Sequence, residues 1–192
     1  GGAVMTNDLQ LAGRARAFRN HGMLRQDAAL AREGDWYYEM AELGYNYRIT
    51  DLQCALGLSQ LEKLNRFKAR RREIAAFYNR ALDPQSGIIL PPEKLATEAC
   101  PHLYPIQIDG TPDFRRKIFG ALRELGIFCQ VHYIPIYWQP YYAQKYGYKK
   151  GKCVNAEAYY SRCLSLPLFP AMSDEDMQRV VQGVEAALAR HR

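Results

Sequence analysis

Gly44-Tyr45-Asn46-Tyr47-Arg48-Ile49-Thr50-Asp51-Leu52-Gln53-Cys54-Ala55-Leu56-Gly57 is a polar, aromatic loop that runs into the start of a helix. Thr50 is the expected N-cap, and Gln53, three residues on, is the partner that a capping box requires. Asp51 falls in the first turn, where a carboxylate complements the helix dipole. Leu52 and Leu56 lie one turn apart and share a face. Just before the cap stand Asn46 and Arg48, an amide and a permanent cation. Beside a helix N-terminus this pair suits an anion. The plainer reading is that Asn46 shapes a turn and Arg48 pairs with a surface carboxylate.

Downstream of this stretch there is no proline and little glycine as far as Leu82. One helix through all of it would be roughly 48 Å long at ~1.5 Å per residue. Leu61, Leu64, Phe67, Ile74, Phe77 and Ala81 give it an apolar side. Gly57 and the run Lys68-Ala69-Arg70-Arg71-Arg72-Glu73 are the places where it can kink or break. The basic run itself is expected to form a solvated face. A helix of that length suits a strut between two domains.

Upstream, Ala3-Val4-Met5 reads as a short strand. Asn7 is the expected cap of a helix, with Gln10 as box partner. Leu11, Ala15 and Phe18 form its apolar stripe, Arg14, Arg16 and Arg19 lie towards the other side, and Gly22 ends it. Residues 23–44 make a polar connection holding Trp36-Tyr37-Tyr38. That aromatic knot either anchors the loop to its own domain, packs on a neighbouring subunit or lines a substrate pocket.

Beyond Leu82 the chain becomes α/β in pattern. Pro84, Pro91, Pro92 and Pro101 mark an irregular connection, in which Ile88-Ile89-Leu90 forms a brief strand. From His102 to Asp109 the residues alternate, with Tyr104, Ile106 and Ile108 on one face, and Pro105 points to an edge position. Thr111-Pro112-Asp113 starts a helix whose stripe is Phe114, Ile118, Leu122 and Leu125, ended by Gly126. Ile127 to Tyr133 reads as a returning strand, with Ile127, Cys129 and Val131 on one face. Pro140 to Tyr146 and residues 155–163 read as helices, and Leu164 to Leu168 as a short strand. Ser173 and Asp176 cap a last helix with Met177, Val180, Val181, Val184 and Leu188 on its core face.

The chain has 192 residues, 48% hydrophobic and 24% charged, enough for a full core of one domain or parts of two. A net charge of +6 suits an anionic ligand, and nucleic acid as well. Five widely spaced cysteines, Cys54, Cys100, Cys129, Cys153 and Cys163, form no Cys-x-x-Cys pair, which argues for a reducing cytoplasm and against a zinc site. No apolar run approaches the ~20 residues that span a bilayer, so no membrane partner is expected. His21, His102, His132 and His191 show no metal-ligand spacing, and no metal is expected. Gln130-Val131-His132-Tyr133 places an amide, an imidazole and a phenol where Pro135 stops a ladder, a position at which α/β folds bind ligands; the plainer reading of Gln130 and His132 is that of ordinary polar-face residues.

The opening stretch, continued through Leu58-Ser59-Gln60-Leu61, resembles the signature of the DegT/DnrJ/StrS family of pyridoxal-phosphate (PLP) enzymes that act on nucleotide-linked keto sugars. Gly1 to Asp8 resembles the segment just after that family's Schiff-base lysine. Arg19-Asn20-His21-Gly22, His102-Leu103-Tyr104 and Gln130-Val131-His132-Tyr133 follow in the family's order. The resemblance implies the C-terminal part of a fold-type I aminotransferase. Residues 1–50 would then be the end of the large PLP-binding domain and the inter-domain loop, and residues 51–192 the long linking helix and small α/β domain. It implies that Asn46 and Arg48 serve the cofactor phosphate, that Asn46, Gln130, Val131, His132 and Tyr133 contact the nucleotide sugar, and that Asn46 reaches across a homodimer with shared active sites. It places the Schiff-base lysine upstream of Gly1; Lys63 and Lys68 match no family position for that role. The chain alone is therefore expected to lack transamination, with an amino acid, glutamate foremost, as donor in the parent enzyme. Three alternatives stay open: a dehydratase of the same family with histidine in the lysine's place, a non-catalytic binding or dimerisation module, and a nucleic-acid binder using Arg66 to Arg72.

Overall fold

The computed structural model describes residues 2–24, 34 and 36–191; much of the expected 23–44 connection lies outside the described residues. The chain divides into two compact units, residues 1–62 and 63–192.

In the first unit, α1 spans Leu9–Phe18. Its cap is Asp8, not Asn7: the Asp8 carboxylate accepts from the amides of Gln10 at 2.8 Å and Leu11 at 3.1 Å. Residues 3–5 form no strand, since no described segment offers them a ladder. Helix α1 ends earlier than Gly22, at the cap Arg19, and Gly22 closes the exit by returning its amide to Ala17 O at 2.8 Å. β1 (Met23–Leu24) pairs antiparallel with β2 (Glu39–Met40). Trp36 and Tyr38 are exposed.

The loop 44–48 is laced to the end of α1. Tyr45 donates to Phe18 O at 2.7 Å, His21 to Tyr45 O at 3.0 Å, and Tyr47 to Arg19 O at 2.9 Å. Phe18, Tyr45 and Tyr47 form a small aromatic cluster, the two tyrosines stacked at 5.1 Å. α2 follows at Asp51–Glu62 with the capping box in place. Thr50 N–H donates to Gln53 Oε1 at 3.0 Å, and Gln53 N–H to Thr50 Oγ1 at 3.3 Å.

The expected single helix is two. α3 spans Leu64–Ala81, and the break falls at Lys63 rather than at Gly57 or in the basic run. Lys63 is the capping residue of α3 and receives the Phe67 amide at 3.0 Å.

The second unit is built on a three-stranded antiparallel sheet in the order β3 (Ile88–Ile89), β4 (Tyr104–Ile108), β5 (Cys163–Leu166). Tyr104, Ile106 and Ile108 point into the core as their alternation predicts. Pro105 sits in the middle strand, not at an edge. Asp109 donates to Gly87 O on the β3 side, so alternate amides of β4 face that way, and Pro105 comes where the two-residue β3 has already ended. The core is closed by α3, α5 (Pro112–Glu124) and α8 (Asp174–His191), with the four-residue α4 (Lys94–Thr97) against α3. Thr111 caps α5 through the Phe114 amide, and Ser173 and Asp176 cap α8 reciprocally. On α5 the buried face is Ile118, Ala121 and Leu122; Leu125, expected there, is exposed.

Ile127 to Tyr133 is not a strand. It keeps the expected alternation, with Ile127 and Cys129 buried, but pairs only through Gln130, which exchanges both main-chain hydrogen bonds with Ser165. α6 (Pro140–Tyr146) and α7 (Val154–Arg162) follow, and α7 runs directly into β5, every residue of which is buried.

The basic run of α3 is not a solvated face. Arg70 donates to Met172 O at 2.7 Å and pairs with Asp174 and Glu73. Arg71 Nη1 lies at 2.9, 3.2 and 3.4 Å from the carbonyls of Leu168, His102 and Pro101. Arg72 donates to the carbonyls of Ala99, at 2.7 Å, and Glu98. These guanidiniums satisfy main-chain oxygens that no helix or ladder would serve.

Candidate active site

In the first unit a cleft of about 1250 Å³ opens between α1, the 47–49 loop and the start of α2. Arg16 and Arg19 line it from α1, one turn apart, and Arg48 from the loop. Arg48 Nη1 donates to Asn20 Oδ1 at 2.5 Å. Among the described residues, none of these three guanidiniums has a carboxylate partner. Arg48 is thus aimed by a neutral amide that leaves its charge uncancelled. Phe18, Tyr47 and Leu56 supply apolar wall. Cations beside an apolar wall suit an organic phosphate ester, with Arg for the phosphate oxygens and the aromatics for the carbon frame. The carboxylate partner that the plainer reading gives Arg48 is not found among the described residues.

Asn46 is exposed and forms a main-chain bridge with Asn20, the same residue that holds Arg48. Both expected phosphate ligands are therefore set by one short segment, 18–21, at the exit of α1. Asn46 itself does not line the cleft; Arg48 does, with Arg16 and Arg19, and these donors, which carry no negative charge, fit the phosphate of a cofactor such as PLP. From the sequence Arg16 and Arg19 are placed only on the polar side of the helix, and Arg19 in the motif Arg19-Asn20-His21-Gly22; their spacing of three is the sign that both can serve one site.

The second expected group lies wholly in the second unit. Gln130 and Tyr133 are exposed, and Val131 and His132 half-buried. The Gln130 bridge fixes its main chain to Ser165 and frees its side chain. His132 Nδ1 is 2.9 Å from Ser165 Oγ, and its ring meets Tyr133 edge-on at 4.7 Å. Ser165, buried at 5% exposure, thus serves both Gln130 and His132, a link across 33 residues with no sequence signal. Burial pushes the thiol of Cys129, next to Gln130, up to about 11, so it is no nucleophile at neutral pH.

Below these residues, the Tyr137 hydroxyl donates to Glu157 and receives the Cys153 amide at 3.2 Å. Glu157 also receives the Gly151 amide at 2.5 Å. The Tyr137 hydroxyl, foremost, holds the Glu157 carboxyl below the usual carboxylate range. Among the described residues no three His, Cys, Asp or Glu side chains gather as metal ligands. No described helix is long and apolar enough to cross a membrane. None of the five cysteines is in a disulfide.

The chain is a mixed α/β protein with an arginine-lined cleft suited to phosphate, and it belongs to the DegT/DnrJ/EryC1/StrS aminotransferase family, whose profile matches residues 1–185. It is 40% identical over 190 residues to the spore coat polysaccharide biosynthesis protein SpsC of Bacillus subtilis, covering 96% of this chain and 48% of that protein. It is 35% identical over 185 residues to the UDP-4-amino-4,6-dideoxy-N-acetyl-beta-L-altrosamine transaminase of Helicobacter pylori, covering 96% and 47%. Among solved structures it matches Helicobacter pylori PseC, an aminotransferase of pseudoaminic acid biosynthesis, with a TM-score of 0.82 and 31% identity over 96% of this chain and 48% of that one. The chain spans about half the length of the relatives it matches.

Proposed function

We propose that this chain is the C-terminal half of a PLP-dependent aminotransferase that moves an amino group from an amino acid, glutamate foremost, to the keto carbon of a nucleotide-linked deoxysugar, a reading supported by its likeness to a UDP-sugar transaminase. The observation that carries this reading is the arrangement at Arg48: a guanidinium held by Asn20, uncancelled by any described carboxylate, in a cleft that Arg16 and Arg19 also line. In this reading residues 1–50 complete the large domain and residues 51–192 supply the linking helices and the small domain. Asn46 and Arg48 hold the phosphate of the cofactor, Asn46 across the interface of a cytoplasmic homodimer, so each active site takes residues from two subunits. Gln130, Val131, His132 and Tyr133 orient the nucleotide sugar. The cofactor, when bound, supplies an electron sink for the carbon that gives up or gains the amine. The lysine that anchors it belongs to the other half of the fold. The amino nitrogen leaves glutamate, which becomes 2-oxoglutarate, and replaces the keto oxygen of the sugar.

The test is the full-length protein with PLP, L-glutamate and a UDP-linked 4-keto-6-deoxy sugar. Amino sugar and 2-oxoglutarate should appear in equal amounts. Arg48→Met should raise the PLP concentration needed for half-maximal rate by about tenfold, the loss of one charge-assisted contact. Release of sugar dehydration product without 2-oxoglutarate, or unchanged PLP affinity in Arg48→Met, would overturn the reading.

A further inference from the structure

Every residue of β5 is buried, and Ser165 carries the one non-aromatic hydroxyl that is buried among the described residues. It stands between Leu164 and Leu166 in an otherwise apolar strand. Its main chain is fully used: Ser165 N–H donates to Gln130 O at 2.7 Å, and Gln130 N–H donates to Ser165 O at 3.1 Å. That leaves the hydroxyl, whose one described partner is His132 Nδ1 at 2.9 Å. A hydroxyl is unfavourable in an apolar core unless it is hydrogen-bonded, and alanine would fill nearly the same space. Packing alone does not call for this oxygen.

A buried hydroxyl proton needs an acceptor, and Nδ1 is the acceptor within reach. Ser165 therefore donates and Nδ1 accepts. A neutral imidazole that accepts at Nδ1 carries its proton on Nε2. Nε2 has no described partner and is open to solvent. The residue is also held at two other points. Its ring meets Tyr133 edge-on at 4.7 Å, and its carbonyl lies 3.8 Å from Cys163 Sγ. Among the described residues no carboxylate is paired with His132. A hydroxyl in that role selects a tautomer without adding charge to the site. The outcome is a fixed N–H donor that faces outward, next in sequence to the exposed Tyr133 and two residues from the exposed Gln130.

We propose that Ser165 is a positioning residue: its hydroxyl fixes His132 as the Nε2–H tautomer and so aims a hydrogen-bond donor at an acceptor oxygen of the ligand. The choice of a nucleotide sugar as that ligand rests on the function proposed above. The acceptor is an oxygen without a proton of its own, phosphoryl or carbonyl. Without the Ser165 hydroxyl the ring is free to take the other tautomer, whose bare Nε2 faces such an oxygen lone pair to lone pair.

The test uses the full-length protein with isotope-labelled histidine. Ring-nitrogen NMR of the substrate-free parent at mildly alkaline pH reads the tautomer, and the His132 signals are those lost in His132→Gln. The parent should show a protonated Nε2 and an accepting Nδ1, and Ser165→Ala a mixture of tautomers. Binding of a UDP-linked 4-keto-6-deoxy sugar is then measured without an amino donor, so that no turnover occurs. Ser165→Ala should weaken it about fivefold, the loss of one hydrogen bond, with thermal melts within a few degrees of the parent. His132→Gln keeps an amide N–H near the place of Nε2 without need of Ser165. In that background Ser165→Ala should change binding by less than about twofold. Weakening seen with UDP as well supports a phosphoryl acceptor; weakening seen with the keto sugar alone supports a carbonyl on the sugar. An Nδ1–H tautomer in the parent, or an unchanged tautomer in Ser165→Ala, would overturn the proposal. So would equal weakening by Ser165→Ala in both backgrounds, which would trace the effect to the packing of β5. A Ser165-dependent tautomer in a protein that binds no nucleotide sugar would leave the hold of Ser165 on His132 standing and remove the function above.

Discussion

Gly44 lies so close to Gly22 that a Cβ on it would sit 2.2 Å from the Gly22 amide nitrogen and 2.7 Å from Phe18 O. Gly22 is equally confined: its backbone is left-handed at φ 67°, and its own Cβ would fall 1.8 Å from Glu42 O. Two main chains touch here without side chains between them. That contact sets the depth at which Asn46 and Arg48 meet Asn20.

Gly44→Ala should therefore unseat the loop rather than merely strain it, because the clash is with main-chain atoms that cannot rotate away. The full-length protein should lose PLP affinity by about tenfold or more while the second unit keeps its fold. Gly13→Ala serves as the control. That glycine is inside α1, off the cleft, with open space around its Cβ position, so the change should be neutral or raise helix stability by up to about 1 kcal/mol. PLP titration of both variants, with amide exchange of residues 63–192, checks this. Unchanged PLP affinity in Gly44→Ala would show that the loop does not position the phosphate ligands.

What was legible in the sequence was what is local. Thr50 with Gln53, Thr111 with Pro112 and Ser173 with Asp176 each carry their own capping partner within three residues, and all three helices start there. Alternation in 104–108 reported a strand because the sheet buries one face of it. The same alternation in 127–133 did not, since pairing needs a partner and Ser165 offers one rung only. The basic run of α3 misled for the same reason. Its charges are visible in sequence, but the carbonyls they serve lie 26 to 102 residues away. The break at Lys63 carries no glycine or proline, and falls where one compact unit gives way to the next. The charge of Arg48 is visible in the sequence; its partner, a neutral amide from the end of α1, appears only in the fold.

Tyr78 and Tyr104 are fully buried and 5.0 Å apart. Tyr78 donates to Pro167 O at 2.9 Å and Tyr104 to Asn79 Oδ1 at 2.6 Å. Burial lifts both phenols well above the ordinary tyrosine range, with Tyr104 and Asp176 adding to the effect at Tyr78. In the unfolded chain both ionise near pH 10. Folded-state values above the unfolded ones mean that the stability these groups contribute is whole below pH 10. It is lost as pH rises from there through the folded values. Two retained protons give a slope of roughly −2.7 kcal/mol per pH unit in that window. Tyr78→Phe or Tyr104→Phe should each halve it, at a cost of about 1 to 2 kcal/mol at pH 7 for the lost hydrogen bond. Urea midpoints between pH 9 and 11 measure both. A slope unaltered by either substitution would mean that the phenols are already ionised or solvated in the folded state.

Arg71 makes the strongest prediction about what holds the small α/β unit together. Its Nη1 gathers the carbonyls of Leu168, His102 and Pro101, which belong to the segments that leave β5 and enter β4. A guanidinium bond to a half-buried carbonyl contributes more than a neutral one, and its loss leaves the oxygens without a donor. Arg71→Met keeps much of the stem and removes the fork, so the unit should lose about 2 to 3 kcal/mol of stability. Arg71→Lys should recover part of this, since one ammonium cannot span the same oxygens. Arg66→Met, on the exposed side of the same helix, should change stability by less than about 0.5 kcal/mol. Equal losses in Arg71→Met and Arg66→Met would show that charge on α3, rather than the carbonyl clamp, sets its stability.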